Sequence, residues 1–244
     1  MADILFPYLG VDEFFRFPDT ESADEYGIVA AGGNLSPGML LSAYRQGLFP
    51  WYSEGEPILW WSPDPRFVLF PDNLHISRSM IRTFKRNRFR YTIDTSFEKV
   101  IRECGAVERK GQDATWITGD MIEGYVTLFK LGFVHSVEVW LDGELVGGLY
   151  GVSLGSLFFG ESMFHLVPDA SKAGYILFVR ALQRHRFTLV DCQVFTPHLA
   201  SLGAQNISRT EFMKNLKKGL KRNTLSGRWS GLIDLEQERI NITG

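Results

Sequence analysis

Two apolar segments of the 244-residue chain carry polar side chains where a buried strand would normally have none. In "FFGESMF" (158–164), Glu161 lies among three phenylalanines and a methionine. In "TLVDCQV" (188–194), Asp191 and Gln193 alternate with apolar residues. A carboxylate is costly to place in apolar surroundings unless something pairs with it. These polar groups therefore need partners, which either a ligand or the protein itself must supply.

Side-chain alternation along a strand relates these residues to one another. If the first segment is a strand, Phe159, Glu161 and Met163 lie on one face of it. Asp191 and Gln193 likewise share a face of the second segment. If both strands belong to one sheet, the polar side chains converge over a single patch. In the alternative interpretation Glu161 pairs with a nearby arginine and Asp191 caps a turn, and the spacing alone leaves both open.

A second group of candidate functional residues consists of aromatic side chains in "FPWYSEGEPILWWSPDP" (49–65). Three tryptophans and a tyrosine there could simply be core, but aromatics on loops often contact bases or sugars. Tryptophans together with carboxylates also suit a carbohydrate enzyme. That alternative lacks a pair of acidic residues flanking an aromatic trough.

Charge is unevenly distributed along a chain whose net charge is only −2. Residues 1–27 hold seven acids and one base, a net −6, so residues 28–244 carry +4. The segments 78–90 and 212–233 each contain six basic residues and no acidic residue. Basic clusters of this kind often bind phosphate backbones, although each could also be the solvated face of a helix. The presence of two such clusters favours RNA or another polyanion as a partner. The predicted phosphate contacts are Arg78, Arg82, Lys85, Arg86 and Arg88.

Several classes of protein are disfavoured by what the sequence does not contain. No apolar run reaches the roughly 18 residues of a membrane-spanning helix, and the N-terminus has no secretory pattern. The two cysteines, Cys104 and Cys192, form no disulfide framework, and the five histidines show no metal-binding spacing. The sequence therefore predicts a cytoplasmic protein that needs no metal and does not bind a membrane.

Periodicity and turn signals place these residues on secondary structure. Residues 134–141, 145–152 and 157–164 are expected to form three successive strands. The short connections between them are typical of antiparallel hairpins, so the three strands form a meander. A Gly/Pro/aromatic-rich region ends at the breaker "SPDP", so we expect a small N-terminal domain over 1–65 and a catalytic domain over 66–244. Helices packed on a mixed sheet give an α+β fold. The predicted helices are 37–46, 79–87, 96–104, 120–130, 171–185, 197–203 and 209–222, and further strands are 89–95 and 188–194.

Several long runs of the sequence resemble a known family. They include "AYRQGLFPWYSEGEPILWWSPDPR" (43–66), "TWIT" (115–118), "LVGGLYGVSLGSLFFGESMF" (145–164) and "DCQV" (191–194). Together the matching runs span about residues 28–204. On these motifs the chain resembles the bacterial leucyl/phenylalanyl-tRNA–protein transferases.

The resemblance implies a fold and an activity. The C-terminal domain is expected to have an acetyltransferase-like (GNAT) fold in which the tRNA 3′ end replaces acetyl-CoA, so no cofactor is expected. Such proteins transfer Leu, Phe or Met from aminoacyl-tRNA to the N-terminal Arg or Lys of an acceptor protein, which marks it for degradation by the N-degron route. We expect a monomer. The alternative from the residues alone is a non-catalytic RNA-binding protein, which leaves Glu161, Asp191 and Gln193 unexplained.

The resemblance also implies roles for individual residues. Gln193 lies beside the reacting carbonyl, and Asp191 orients it and lends negative potential. Glu161 faces the cationic N-terminus of the acceptor, whose charge matches its own. The expected substrate contacts are Tyr44, Trp51 and Trp116 around the terminal adenosine and the reacting group, and Phe159 and Met163 as walls of a Leu/Phe side-chain pocket. The basic residues of 78–88 are expected to contact tRNA phosphates.

Overall fold

The computed structural model describes residues 6–107 and 116–243. Asp3, one of the N-terminal acids, and Thr115, the first residue of "TWIT", lie outside the described residues. The strands are β1 Ile28–Ala31, β2 Phe49–Pro50, β3 Leu59–Trp61, β4 Arg66–Leu69, β5 Arg90–Ile93, β6 Val134–Leu141, β7 Glu144–Leu154, β8 Leu157–His165, β9 Leu189–Gln193 and β10 Gln205–Ile207. The helices are α1 Pro37–Arg45, α2 Arg78–Lys85, α3 Phe97–Ala106, α4 Gly119–Lys130, α5 Ala170–Arg184, α6 Pro197–Ala200, α7 Arg209–Gly219 and α8 Leu235–Thr243.

Local sequence signals account for where the helices begin. Helix α1 starts with Pro37, whose missing N–H is not needed in a first turn. The hydroxyls of Ser77, Thr118 and Ser208 accept backbone hydrogen bonds at the starts of α2, α4 and α7. The predicted helices are found within a few residues of their expected bounds, and α7 ends at Gly219 rather than at residue 222.

The N-terminal part contains a three-stranded antiparallel sheet in the order β1-β3-β2. Trp60, in the middle strand, is almost fully buried and donates its indole N–H to the carbonyl of Gly32. The stretch "ILWWS" is therefore partly a core strand, and the tryptophans of this region are not all displayed on loops.

The larger sheet has seven strands in the order β10-β4-β9-β8-β7-β6-β5. All neighbouring pairs are antiparallel except β8 and β9, which run parallel. This mixed sheet with its helices confirms the α+β prediction. Strand β4 follows the small sheet directly in the chain, yet it lies inside the large sheet between β9 and β10.

Helices cover both faces of the large sheet. One cluster of buried apolar residues includes side chains of α1, α3, α4 and α7. A second cluster, on the other face, includes side chains of α2, α5 and α8. Residues of the N-terminal part such as Leu40 and Trp60 belong to the first cluster together with Val68 and Phe159, so a single core joins the small sheet to the large one.

Two β-bulges interrupt the sheet at the polar residues singled out by the sequence. In β8, Gly160 pairs with Gly151 and Ser162 with Tyr150, so Glu161 is the extra residue. A Cβ on Gly151 would lie 2.1 Å from the carbonyl oxygen of Phe159, which explains why glycine faces this bulge. In β9 the register shifts at Cys192 in the same way.

The bulge in β8 reverses the alternation of side chains. Phe159 packs in the first cluster, whereas Met163 packs against the second, on the opposite face. The prediction that Phe159, Glu161 and Met163 share one face is therefore wrong for Met163. Strict alternation fails because the extra residue at a bulge shifts the side-chain phase of all that follow.

Within the described residues, none of the helices combines the length and the apolar character needed to cross a bilayer.

Candidate active site

A cavity of about 500 Å³ lies where strands β8 and β9 separate. Their parallel pairing runs from Leu157↔Leu189 to Phe159↔Asp191. Beyond it, Gly160 and Cys192 both line the cavity. Its walls are largely apolar, as expected for a site that takes an apolar ligand group, with a few polar groups at one place. The residues that line it include Trp51, Trp116, Leu149, Phe158, Glu161, Met163, Val190 and Gln193.

Glu161 projects from the β8 bulge and is fully hydrogen-bonded within the protein. Its Oε1 accepts from the Tyr44 hydroxyl at 2.8 Å and from the Gln193 side-chain amide at 2.9 Å. Its Oε2 lies 2.8 Å from the Tyr125 hydroxyl oxygen, also within hydrogen-bond distance. The expected pairing of this carboxyl with the acceptor alone is therefore not what the structure shows, because three protein side chains already contact it.

Burial sets the acid–base behaviour of this group. Desolvation raises the pKa of Glu161 to about 7, and nearby Asp191 adds to the rise while the tyrosine and Gln193 hydrogen bonds oppose it. Burial likewise raises the pKa values of Tyr44 and Tyr125 well above 10.0. Both tyrosines are therefore neutral hydrogen-bonding groups at physiological pH.

Gln193 ends β9 in an unusual backbone conformation. Its φ is +64°, in the left-handed region that a residue other than glycine seldom adopts. Its backbone N–H donates to Oδ1 of Asp191 at 2.9 Å. Because the side-chain Nε2 is bound to Glu161, the Oε1 end of the amide is the acceptor that Gln193 can offer to a ligand. Asp191 thus orients Gln193 through its backbone.

Asp191 is itself held by a two-pronged ion pair with Arg66 of β4. The Nε–Oδ1 and Nη2–Oδ2 distances are 2.9 and 2.7 Å, and both side chains are completely buried. Asp191, which is expected to lend negative potential to Gln193, is therefore one member of an ion pair and not an isolated charge. Arg66 was missed as a site residue, although "SPDPR" ends with it. Only its place beside β9 in the sheet, which the sequence does not show, identifies its role.

The aromatic residues expected around the substrate divide into two groups. Trp51 and Trp116 line the cavity. Tyr44 is completely buried behind Glu161, and its ring lies 5.1 Å from that of Phe159. Neither Tyr44 nor Phe159 lines the cavity.

Met163 lines the cavity as expected, and Phe158 takes the place predicted for Phe159. Phe158 belongs to the second apolar cluster with Leu149 and Val190, which line the same space. The apolar pocket therefore lies on the α5 face of the sheet, and the hydrogen-bonded group around Glu161 lies on the other.

The predicted phosphate contacts are all solvent-exposed. They are Arg78, Arg82, Lys85, Arg86 and Arg88, on and just after α2. Helix α2 is tied to the start of α5, since the Thr83 hydroxyl donates to Asp169 at 3.1 Å. From the second basic segment, Arg228 is structural, because it donates to the carbonyl of Asp94 and lies over the Phe129 ring at 3.8 Å.

Comparison with known proteins adds the identity of the family. The family model described as leucyl/phenylalanyl-tRNA protein transferase matches residues 68–217, and the model for the N-terminal domain of the same proteins matches residues 33–64. A leucyl/phenylalanyl-tRNA–protein transferase of Myxococcus xanthus is 55% identical over 88% of this chain and 92% of its own. One from Legionella pneumophila is 48% identical over 91% and 99%.

Solved structures give a weaker likeness. A GCN5-related N-acetyltransferase from Kribbella flavida is 11% identical, with a TM-score of 0.35 over 71% of this chain and 62% of its own. L-PGS from Bacillus licheniformis gives a TM-score of 0.37 over 66% and 54%. Scores this low support no argument, and the GNAT-like fold stays a prediction.

The sequence matches cover nearly the whole chain and include both polar segments that frame the cavity. They exclude the two alternatives, a non-catalytic RNA-binding protein and a carbohydrate enzyme. This chain belongs to the leucyl/phenylalanyl-tRNA–protein transferase family.

Proposed function

We propose that the cavity between β8 and β9 holds the aminoacyl end of the donor and that Gln193 contacts the reacting groups there. As a member of its family, the protein transfers an amino acid from aminoacyl-tRNA to the N-terminus of another protein. The observation that carries the proposal is the meeting of a largely apolar cavity with Glu161 and Gln193 at one point of its wall.

The reaction needs alignment more than activation. The acceptor's α-amino nitrogen attacks the ester carbonyl carbon, and the bond from that carbon to the ribose oxygen breaks. The amine loses one proton and the ribose oxygen gains one. The ester is already activated, so the proposed step requires no cofactor, and the protein contributes positioning and electrostatic stabilisation.

Gln193 is suited to receive the attacking amine. Its Nε2 donates to Glu161, so its Oε1 can accept a hydrogen bond from the α-amino group. A neutral amide is too weak a base to keep that proton, which the terminal ribose hydroxyl of the tRNA can take. Asp191 and Glu161 act on Gln193 from two sides, one through the backbone and the other through the side chain.

The donor's side chain fits the apolar part of the cavity. Leu149, Phe158, Met163 and Val190 line it. A pocket of this composition favours Leu, Phe or Met over polar side chains, because burying apolar surface is favourable by about 25 cal/mol per Å². Trp51 and Trp116 offer flat faces to the terminal adenosine.

Several finer points belong to the same proposal. The acceptor carries an N-terminal Arg or Lys, and the exposed basic residues of 78–88 contact tRNA phosphates. The protein acts as a monomer in the cytoplasm, where charged tRNA is made. Residues 1–65 and 66–244 are its small and catalytic domains.

The test is Phe transfer from Phe-tRNA to peptides that start with Arg, Lys or Ala. Transfer to the first two but not to the third is expected. Met163→Trp, which fills the pocket, should raise the KM for Phe-tRNA about tenfold, the cost of overpacking. Leu131→Trp, at an exposed position, is the matched control. Equal KM values in the two variants would place the donor side chain elsewhere.

A further inference from the structure

Three side chains from three different elements meet behind Gln193. Tyr44 comes from α1, Tyr125 from α4 and Glu161 from the β8 bulge. Both tyrosines are completely buried, and Glu161 is 8% exposed. The two hydroxyl oxygens lie 2.5 Å apart, and each also lies 2.8 Å from a different oxygen of the Glu161 carboxyl. The three groups therefore form a closed ring of contacts.

The number of protons in this group decides the charge of Glu161. Four contacts need a proton each: the three in the ring and the one from Gln193 to Oε1. If Glu161 is ionised, only the two hydroxyls and the Gln193 amide can donate, so one contact between two oxygens has no proton. A protonated carboxyl supplies the fourth.

We propose that Glu161 is a neutral carboxylic acid in the resting enzyme, closing a hydrogen-bonded ring with Tyr125 and Tyr44, and that Tyr125 is a positioning residue for Gln193. The acid donates from Oε2 to Tyr125, Tyr125 donates to Tyr44, and Tyr44 donates to Oε1. Oε1 then remains a pure acceptor and takes Nε2 of Gln193. The ring thereby fixes which end of the Gln193 amide is turned to the reacting amine.

The surroundings of the ring agree with a neutral acid. The charged group that acts on Glu161 is Asp191 on β9, which is itself paired with Arg66 on β4. Asp191 and burial both disfavour a second negative charge on Glu161. Tyr150 on β7 packs against Tyr125, with ring centroids 5.6 Å apart. Among the described groups that act on Glu161, none is a cation that would stabilise its carboxylate.

The inference rests on the proposed role of Gln193 and makes a distinct prediction about pH. When Glu161 loses its proton, one ring contact loses its hydrogen bond and the support of Gln193 loosens. Turnover should therefore fall as the pH rises through about 7. Glu161→Gln cannot ionise, and its amide can donate to Tyr125 while its oxygen accepts from Tyr44 and Gln193.

The experiment compares single-turnover Phe transfer by wild type and Glu161→Gln between pH 5.5 and 8.5, with spontaneous ester hydrolysis of the donor subtracted. The wild-type to variant ratio cancels the titration of the acceptor amine. We expect Glu161→Gln to lose less than about tenfold below pH 7, and the ratio to fall by up to about tenfold per pH unit above it. A ratio that is flat or rises with pH overturns the proposal.

Two further measurements separate a positioning role from a merely structural one. The infrared C=O stretch of a protonated carboxylic acid should be present in wild type at pH 6 and absent in Glu161→Gln. Tyr125→Phe, which removes one ring proton, should lower kcat with little change in KM for Phe-tRNA. If Glu161 is ionised at pH 6 and wild type still transfers Phe, this proposal about Glu161 is overturned. If wild type does not transfer Phe at all, the proposed function is overturned instead.

Discussion

Arg66 and Arg82 are separated by only a short stretch of chain, yet they are used in opposite ways. Arg66 is completely buried, bound to Asp191 through two hydrogen bonds and placed between the rings of Phe49 and Phe212, at 4.7 and 4.4 Å. Arg82 lies on the exposed surface of α2. A buried guanidinium has exchanged water for fixed partners, whereas an exposed one keeps its water and can exchange it for a phosphate.

The comparison of Arg66 with Arg82 separates charges that stabilise the fold from charges that are available for binding. Removing one member of a buried pair leaves the other without water or partner, which is costly. Removing an exposed charge changes little in the folded protein and weakens its binding to a polyanion. The effects of mutation should therefore decrease steadily from the centre of the site to the surface of α2.

The largest effect is expected at the buried ion pair. Arg66→Met should lower the free energy of unfolding by about 3–5 kcal/mol, because Asp191 is left charged and buried. Urea denaturation measures it. Arg82→Met, the same change at an exposed position, should stay within about 0.5 kcal/mol. Similar values for the two variants would show that burial does not distinguish these arginines.

The next effect concerns catalysis rather than stability. Gln193→Ala should lower kcat on the order of 10²-fold, the loss typical of one donor or acceptor used in the transition state. Donor binding should change little, because the contact matters most in the transition state. Since φ at this position is positive, Gln193→Asn serves as the control: asparagine tolerates that backbone but is one methylene too short. Near-normal turnover in both variants would remove Gln193 from the mechanism.

A smaller effect, on stability, is expected from the ionisation of Glu161. The folded-state pKa of Glu161 is raised from 4.5 to about 7, so its contribution to stability is complete below pH 4.5 and is lost as the pH rises through about 7. Between those values wild type should lose about 1 kcal/mol per pH unit relative to Glu161→Gln. Denaturation of both proteins from pH 5 to 8 measures the free energy of unfolding of each. The value for wild type minus the value for Glu161→Gln should fall as the pH rises, and an increase would contradict the prediction.

The smallest effect is expected on α2. Arg82→Ala or Lys85→Ala should flatten the salt dependence of tRNA binding by about one unit of log–log slope or less, because each removes one phosphate contact. Lys130→Ala, at the exposed end of α4, is the control and should leave the slope unchanged. If the α2 variants behave like this control, the phosphate contacts lie on another surface.

Local signals in the sequence were sufficient to predict most of the helices and hairpins of the fold. The helix starts at Pro37 and after Thr118 depend on neighbouring residues, and the hairpins of β6, β7 and β8 depend on short turns. The place of β4 was not predictable in this way. It pairs with β9 and β10, which are distant in the chain, and no local pattern encodes such a pairing.

The same limit applies to the candidate site. Glu161 and Gln193 were identified because polar residues stand out in apolar strands. Phe159 was assigned to the wrong wall because alternation assumes an unbroken strand, and the bulge at Glu161 breaks it. Tyr125 was not singled out at all, since a tyrosine on an amphipathic helix has the pattern of an ordinary core residue.

The position of β4 also has a consequence for how the protein is made. Translation delivers Arg66–Leu69 early, but its two neighbours are Leu189–Gln193 and Gln205–Ile207. Until the ribosome has released them, both edges of this strand stay open and Arg66 has no carboxylate to bind. The proposed active centre therefore cannot form before these late segments of the chain are available. A nascent chain that stops before β9 exposes a strand with two unpaired edges, a substrate for chaperones and proteases instead of a partly active enzyme.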